Sequence, residues 1–231
     1  MQPLLREAAG TAYDFAAVVC RRNLQRCRGK EASSVKLRLA VVLAAIALFK
    51  APARAQAANE DLVAGSHGFE VWTGIGHSIS RSVTHTAVWN GSIRYGWVLT
   101  DPHGPGFLRG RFEYGVDAVP VFVVFQPART AYGISFDPFS LRWYFLQHRS
   151  VTPYADFSGG VLFTNHQVPP GVNAINFTPS AGIGISVPHG RFRWTAELHY
   201  LHISDAFLTS SNPGINLLQL RVGIGLYKGR K

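Results

Sequence analysis

The chain has 231 residues, of which 47% are hydrophobic and 16% are charged, and its formal net charge is +10. Most of the positive charge lies in residues 1–55, where ten Lys or Arg accompany three acidic residues, whereas thirteen basic and ten acidic residues follow. The length suits one domain. Because no basic stripe with interleaved aromatic residues follows residue 55, the composition argues against a nucleic-acid-binding protein.

The beginning of the chain has the parts of a secretory signal. Basic Lys36 and Arg38 precede an apolar run over residues 39–49, and Ala53-Arg54-Ala55 suits cleavage before Gln56. The apolar run is far shorter than the ~20 residues that a membrane-spanning helix needs. We therefore expect the signal to be removed on export.

The signal divides the chain into two parts. We expect residues 1–55 to be an N-terminal extension and signal peptide, and residues 56–231 to be the mature domain. The stretch before Val35 is long for a basic signal region, so translation is expected to begin near that residue. Both cysteines, Cys20 and Cys27, lie in the extension. The exported part is therefore predicted to have no disulfide bond, no Cys nucleophile and no thiolate metal site.

After the signal, eight segments alternate apolar and polar side chains with a period of two residues. This period is typical of β-strands that have one apolar and one polar face. Most of the segments end at Gly, Pro, Asn, Asp or Ser, which often interrupt strands. Pro120 lies inside the third segment and predicts a bulge there. In chain order the segments are approximately 68–79, 86–100, 107–125, 131–147, 151–165, 175–188, 191–204 and 214–227.

The two faces of these segments differ in chemistry. In the second segment one face is apolar and the other is polar or small: Trp89, Ile93, Tyr95, Trp97 and Leu99 against Asn90, Ser92, Arg94 and Gly96. A soluble β-sandwich would alternate in the same way. Export, long strands, an even strand number and the lack of cysteine favour an all-β, eight-stranded antiparallel outer-membrane barrel. The charged residues predicted to fill its lumen are Arg94, Glu113, Asp117, Arg142, Glu197 and Arg221.

Two reactive residue types lie at the end of the seventh segment. His202 and Ser204 are two residues apart, so both side chains should project to the outer, apolar face. Beside hydrocarbon they need a partner or a place at the head-group boundary, since an unpaired polar group costs several kcal/mol there. A hairpin register that pairs Glu197 with Arg221 in the lumen also pairs His202 with Asn216 outside.

This Ser-His-Asn arrangement suits nucleophilic ester cleavage. Ser204 would attack the carbonyl carbon, His202 would act as general base and then acid, and Asn216 would orient the imidazole. Backbone N–H groups of the loop Asn212-Pro213-Gly214 are the expected oxyanion donors. The simpler interpretation is that His202 and Ser204 are interfacial polar residues that bind water or head groups.

Two short runs carry a family resemblance. His202-Ile203-Ser204-Asp205-Ala206, followed by Asn212-Pro213-Gly214-Ile215-Asn216, resembles the PagL family of lipid A 3-O-deacylases, also called acyloxyacyl hydrolases. The resemblance implies an eight-stranded barrel in the outer membrane of a Gram-negative bacterium. It also implies that outward-facing Ser, His and Glu cleave the ester-linked acyl chain at the 3-position of lipid A. His202 and Ser204 match the family, whereas Asn216 stands in place of the Glu and Asp205 in place of the usual Asn.

The expected function is therefore hydrolysis of lipid A within lipopolysaccharide. No cofactor is expected, since the sequence has no phosphate-binding loop and no metal-ligand motif. His199 and His202 are three residues apart and should project to opposite faces, which argues against a shared metal ion. The sequence is compatible with a homodimer. The alternatives are a structural or ligand-binding barrel without chemistry, or a family member that Asn216 has inactivated.

Overall fold

The computed structural model describes residues 62–79, 85–148, 150–209 and 214–228. The predicted signal peptide, its cleavage before Gln56, the start near Val35 and both cysteines lie outside these ranges. Within them, the structure has no helix that is long and apolar enough to cross a bilayer.

The described residues form one closed antiparallel β-barrel. β1 pairs with both β2 and β9, and β4 pairs with both β3 and β5, so the ring of strands has no free edge. A short 3-10 turn at Gly106–Leu108 precedes β3. The strands are β1 (His67–Ser78), β2 (Ala87–Val98), β3 (Gly110–Phe125), β4 (Thr130–Phe145), β5 (Thr152–Thr164), β6 (Ile175–Phe177), β7 (Ser180–His189), β8 (Phe192–Ile203) and β9 (Ile215–Lys228).

β6 and β7 together make the sixth of eight barrel strands. Both pair with β5 in one continuous register, in which Val161 lies opposite Phe177 and Ser158 lies opposite Ser180. The strand is interrupted just before β7 because Pro179 has no N–H group to donate to the ladder. The structure thus confirms the predicted eight-stranded antiparallel barrel, with one strand in two pieces.

Bulges in β3 coincide with the proline inside it. The pairing of β3 with β4 shifts between Val119 and Phe122, which are the residues on either side of Pro120-Val121. The pairing of β3 with β2 shifts at the same height of the barrel, between Gly91 and Ile93. The bulge predicted at Pro120 is therefore confirmed.

The barrel is apolar outside, as predicted, and its lumen holds the predicted polar and charged side chains beside an apolar cluster. In β2 the side chains of Trp89 and Ile93 are 44% and 49% exposed, whereas Asn90 and Arg94 are buried. Exposed large apolar side chains recur on all the long strands. An apolar surface of this extent is what a barrel needs in order to face lipid.

Ion pairs fill much of the lumen. Arg142 contacts Glu70 at 2.6 Å and Asp156 at 3.0 Å. Arg94 contacts Asp156 at 3.1 Å and Glu113 at 3.1 Å. A cavity of about 10 Å³ remains between these side chains, which is room for about one water molecule. Arg94 also lies 3.6 Å from Asp117, and Arg221 lies 4.0 Å from Glu197. All six charged residues predicted for the lumen therefore belong to an ion pair: Arg94, Glu113, Asp117, Arg142, Glu197 and Arg221.

Candidate functional site

The hairpin of β8 and β9 carries the candidate site at the end where β8 stops. Inward-facing residues fix this end of the hairpin, because they are buried in an apolar cluster inside the barrel. These inward-facing residues are Leu201, Ile203, Ile215 and Leu217. Side chains alternate along a strand, so His202, which lies between Leu201 and Ile203, projects outward. Asn216, between Ile215 and Leu217, projects outward for the same reason.

The register predicted for this hairpin is the one observed. His202 lies opposite Asn216, and Glu197 lies opposite Arg221. The His202 N–H donates to the carbonyl of Pro179 on the other side of β8, at 3.0 Å. His202 and Asn216 are therefore a non-hydrogen-bonded pair, in which the Cα atoms approach to about 4.5 Å. This close approach explains the direct contact between their side chains.

The Asn216 side-chain oxygen accepts two hydrogen bonds. His202 Nδ1 lies 2.7 Å from Oδ1, and the Tyr200 hydroxyl oxygen lies 2.7 Å from the same atom. Because an amide oxygen can only accept, Nδ1 carries the proton of the neutral ring and Nε2 keeps a free lone pair. This is the tautomer that a general base acting through Nε2 requires.

Ser204 directly follows β8 and lies on the same side of the sheet as His202. It forms an antiparallel bridge with Phe177, with N–H to carbonyl distances of 3.1 and 2.7 Å. Opposed residues share a face, and the Phe177 ring is exposed on the outer one. Ser204 itself is only 6% exposed, and the next residue, Asp205, is also buried. The regular alternation of buried and exposed side chains therefore stops at the end of β8.

Ser204 and His202 are close in sequence and share a face, but the described residues show no hydrogen bond between the Ser204 hydroxyl and the His202 ring, which instead contacts Asn216. Catalytic hydrogen bonds are often long without substrate and tighten in the complex. The predicted transfer from Ser204 to Nε2 therefore requires the hydroxyl to turn toward the ring.

Gly214 leaves room for the imidazole. A Cβ atom at this position would lie 2.7 Å from His202 Cε1, and the backbone φ is +57°. Both features favour glycine. Gly214 belongs to the loop predicted to supply oxyanion donors, whose Asn212 and Pro213 lie outside the described residues. Its packing against His202 is a role that the sequence analysis did not assign.

Asp205 organises the loop that follows Ser204. Its carboxylate accepts hydrogen bonds from the Phe207 N–H at 3.1 Å, the Thr209 N–H at 3.0 Å and the Thr209 hydroxyl at 2.6 Å. These bonds span two residues with left-handed backbone, Ala206 and Phe207, whose φ values are 52° and 65°. A carboxylate that only accepts cannot stabilise an oxyanion, so Asp205 has a structural place here.

An apolar groove on the outer surface begins beside the site. Leu218 lies opposite Tyr200 on β8 and opposite His77 on β1. From Leu218 the groove runs across β1 toward β2, along side chains that face lipid. Such a surface suits a hydrocarbon chain. Its lining includes Ile75, His77, Ala87, Trp89, Leu218 and Leu220.

One group of potential metal ligands lies in the lumen, away from this site. The ligand atoms of Asp156, Glu197 and His199 are within 4.8 Å of one another. Asp156 already pairs with two guanidinium groups, and His199 Nδ1 contacts Glu197. A cation would have to displace these contacts. His199 is buried in the lumen while His202 faces outward, so the two histidines lie on opposite faces, as their spacing predicts.

A closed barrel with an apolar exterior, a filled lumen and a polar site on its lipid-facing side defines an outer-membrane protein whose site lies outside the barrel. A family model described as "Lipid A 3-O-deacylase (PagL)" matches residues 108–225. The chain belongs to this family, which confirms the resemblance seen in the sequence. It is a barrel of the outer membrane of a Gram-negative bacterium.

Solved structures of outer-membrane proteins are similar to this chain. The crystal structure of the outer membrane enzyme PagL matches with a TM-score of 0.51 and 18% identity, over 67% of this chain and 97% of that chain. OprG from Pseudomonas aeruginosa gives a TM-score of 0.46 and 8% identity, over 74% of this chain and 99% of that chain. Ail of Yersinia pestis gives a TM-score of 0.44 and 9% identity, over 72% of this chain and 100% of that chain. No curated protein sequence matches the chain significantly.

Proposed function

We propose that this barrel is a carboxylic-ester hydrolase that removes the ester-linked acyl chain at the 3-position of lipid A. Ser204 is the nucleophile, His202 the general base and acid, and Asn216 the residue that orients the imidazole. The observation that carries the proposal is the hydrogen bond from His202 Nδ1 to Asn216 Oδ1, on the lipid-facing side and two residues from a serine. Membership in the family supplies the substrate class.

The reaction follows from these roles. Ser204 Oγ attacks the ester carbonyl carbon while His202 Nε2 takes its proton, and the imidazolium then protonates the leaving sugar alkoxide. Water, deprotonated by the same Nε2, attacks the acyl-serine and releases the fatty acid. The products are a free fatty acid and a lipid A molecule with a free 3-hydroxyl group.

The location of the site supports this substrate. In lipid A the ester group lies between the sugar and the acyl chain, at the boundary between head groups and hydrocarbon. Ser204 lies at the end of a membrane strand, where that boundary is expected. The apolar groove beside Leu218 would hold the acyl chain while the ester meets Ser204.

Asn216 in place of a glutamate is expected to lower the rate of ester hydrolysis. An amide can hold the imidazole in the correct tautomer, but it has no charge to stabilise the imidazolium that forms during the reaction. In a Ser triad, exchange of the acid for an amide can cost on the order of ten-thousandfold when it enforces the wrong tautomer. The tautomer is correct here, so we expect a slower enzyme than its Asn216→Glu variant, not an inactive one.

Lipid A mass spectrometry after expression in a Gram-negative host tests the proposal. We expect the wild type to remove one 3-hydroxyacyl chain and Ser204→Ala to leave lipid A intact, since loss of the nucleophile removes the acyl-enzyme route. Ser180→Ala is the matched control, because Ser180 is buried to a similar degree, 5% against 6%, but faces the lumen. It should deacylate like the wild type.

Folding is checked for each variant by the shift in gel mobility between unheated and heated samples of the barrel. Unchanged lipid A in cells that hold folded wild-type and Asn216→Glu protein would contradict the proposal and favour a barrel without chemistry. Activity that is found only in Asn216→Glu would identify a family member that the amide has silenced.

A further inference from the structure

Tyr200 contacts Asn216, the residue that stands where the family has a glutamate. It lies on β8 two residues before His202, on the same outer face, and is 39% exposed. Its direct partner across the hairpin is Leu218, so Asn216 is a diagonal neighbour. Diagonal neighbours are within reach of long aromatic side chains. The hydroxyl oxygen of Tyr200 lies 2.7 Å from Asn216 Oδ1.

An asparagine in this position has a problem that a glutamate does not have. Both oxygens of a carboxylate accept, so either one holds the proton on His202 Nδ1. An amide has one accepting and one donating end. If Asn216 turned its NH₂ group toward Nδ1, the proton would move to Nε2, and the ring could no longer act as a base toward Ser204.

The Tyr200 hydroxyl favours the productive orientation. A phenol is a better hydrogen-bond donor than acceptor, because its oxygen lone pair is delocalised into the ring. Donation from Tyr200 therefore favours the amide orientation in which Oδ1 lies between Tyr200 and His202, as observed.

We propose that Tyr200 is a positioning residue that orients the Asn216 amide and thereby lets an asparagine serve in place of the glutamate. The effect of Tyr200 on catalysis rests on the proposed function, whereas its effect on the His202 tautomer does not. An aromatic residue that only anchors the barrel at the membrane boundary would affect neither.

A double-mutant cycle tests the kinetic part. Purified wild type, Tyr200→Phe, Asn216→Glu and the double variant are assayed on lipid A in detergent micelles. We expect Tyr200→Phe to lower kcat about five- to tenfold, the effect of one hydrogen bond, with KM changed by less than about twofold. In the Asn216→Glu background the same change should alter kcat by less than about twofold, because a carboxylate needs no orientation.

A packing role for Tyr200 would give equal losses in both backgrounds, and that result would overturn the inference. So would an unchanged kcat in Tyr200→Phe. Tyr132→Phe is the matched control, since Tyr132 is an outward-facing tyrosine on β4 with 58% exposure. Its kcat should equal that of the wild type.

Nitrogen-15 NMR of histidine-labelled protein tests the structural part without any substrate. The His202 signal is assigned by its loss in His202→Gln, and spectra are recorded in alkaline buffer. We expect the proton on Nδ1 in the wild type and a measurable fraction on Nε2 in Tyr200→Phe. An Nε2 proton in the wild type, or an unchanged tautomer in Tyr200→Phe, would overturn the inference. If the expected tautomers appear but Ser204→Ala deacylates normally, only the proposed function fails.

Discussion

The imidazole of His202 has neighbours on two sides, Asn216 on β9 and Gly214 in the loop directly before β9. Asn216 accepts the proton of Nδ1 at 2.7 Å, and the bare Cα of Gly214 lies against Cε1. On a lipid-facing surface a polar side chain must find its partners within the protein, because hydrocarbon supplies none. The hydrogen-bonded series of Tyr200, Asn216 and His202 meets this need and leaves Nε2 for chemistry.

Gly214→Ala is predicted to abolish most activity in a barrel that still folds. The new Cβ would lie 2.7 Å from His202 Cε1, so the ring must move away from its position beside Asn216. Displacement of a catalytic group by about 1 Å can cost about a hundredfold, and we expect a loss of kcat of that order. The measurement is the initial rate on purified lipid A.

Gly190→Ala is the matched control for the backbone. Gly190 has a φ of +61° in the turn between β7 and β8, and a Cβ there would meet nothing within 4 Å. Like Gly214→Ala, this variant places an alanine in left-handed backbone, at a cost of about 1 kcal/mol. Unlike Gly214→Ala, it adds no contact with His202. A similar loss of activity in both variants would show that the contact with His202 is not the cause.

The loop after β8 is a second structural unit of the site. Asp205 collects three hydrogen bonds from Phe207 and Thr209 and so holds a turn directly beside Ser204. Left-handed residues other than glycine cost of order 1–3 kcal/mol each, and the carboxylate offsets this cost in Ala206 and Phe207. The Asp205 carboxylate therefore supports the turn that follows Ser204.

Asp205→Ala is predicted to loosen this loop. Removal of the carboxylate deprives two backbone N–H groups of their acceptor, so the amides of Phe207 and Thr209 should exchange with deuterium at least about tenfold faster. Asp205→Asn, which keeps one accepting oxygen, should lie between this variant and the wild type. Asp101→Ala, in the loop before β3, is a control that should leave these amides unchanged. Unchanged exchange in Asp205→Ala would show that other contacts hold the turn.

The strands and the site differ in how far the sequence predicts them. In a barrel each residue has lipid on one side or a packed lumen on the other, so a period of two is enough to locate eight segments. A suitable loop length and the charge pair of Glu197 and Arg221 together predict the register that places His202 opposite Asn216, which is the one observed. Pro179 lies inside the sixth predicted segment, and its missing N–H group is a signal that could have predicted the break before Ser180.

Side-chain geometry accounts for what the sequence does not predict at the site. The outward position of Tyr200 follows from alternation, but its contact with Asn216 is diagonal and depends on the rotamers of both residues. The turn held by Asp205 depends on bonds to the backbone, about which hydrophobic periodicity carries no information. The space that Gly214 leaves for His202 becomes visible only when the two strands are paired.

At the scale of the barrel, ion pairs fill the part of the lumen beside the apolar cluster that contains Leu201 and Ile203. Arg142 is 3% exposed and contacts Glu70, Asp156 and the hydroxyl of Tyr144, which lies 3.1 Å away. A buried charge that loses its partner is expensive, because the remaining groups have already given up their water. The network should therefore determine the stability of the barrel as a unit.

Arg142→Ala is predicted to destabilise the barrel by about 3–5 kcal/mol, the usual cost of leaving buried charges unpaired. Reversible urea unfolding in lipid vesicles, followed by tryptophan fluorescence, measures the change. Arg191→Ala is the control, since Arg191 is exposed and stacks only on Phe192 at 5.0 Å. It should change the free energy of unfolding by less than about 0.5 kcal/mol. Equal effects of the two substitutions would show that the lumen network contributes little.

The filled lumen also decides how molecules reach the site. An eight-stranded interior is just wide enough for its own side chains, and the ion pairs around Arg94 and Arg142 occupy it. The barrel is therefore a solid support and not a conduit. In the proposed reaction the lipid arrives by lateral diffusion, and both products depart along the plane of the same leaflet. The proposed reaction can then proceed without opening a leak through the permeability barrier in which the protein is embedded.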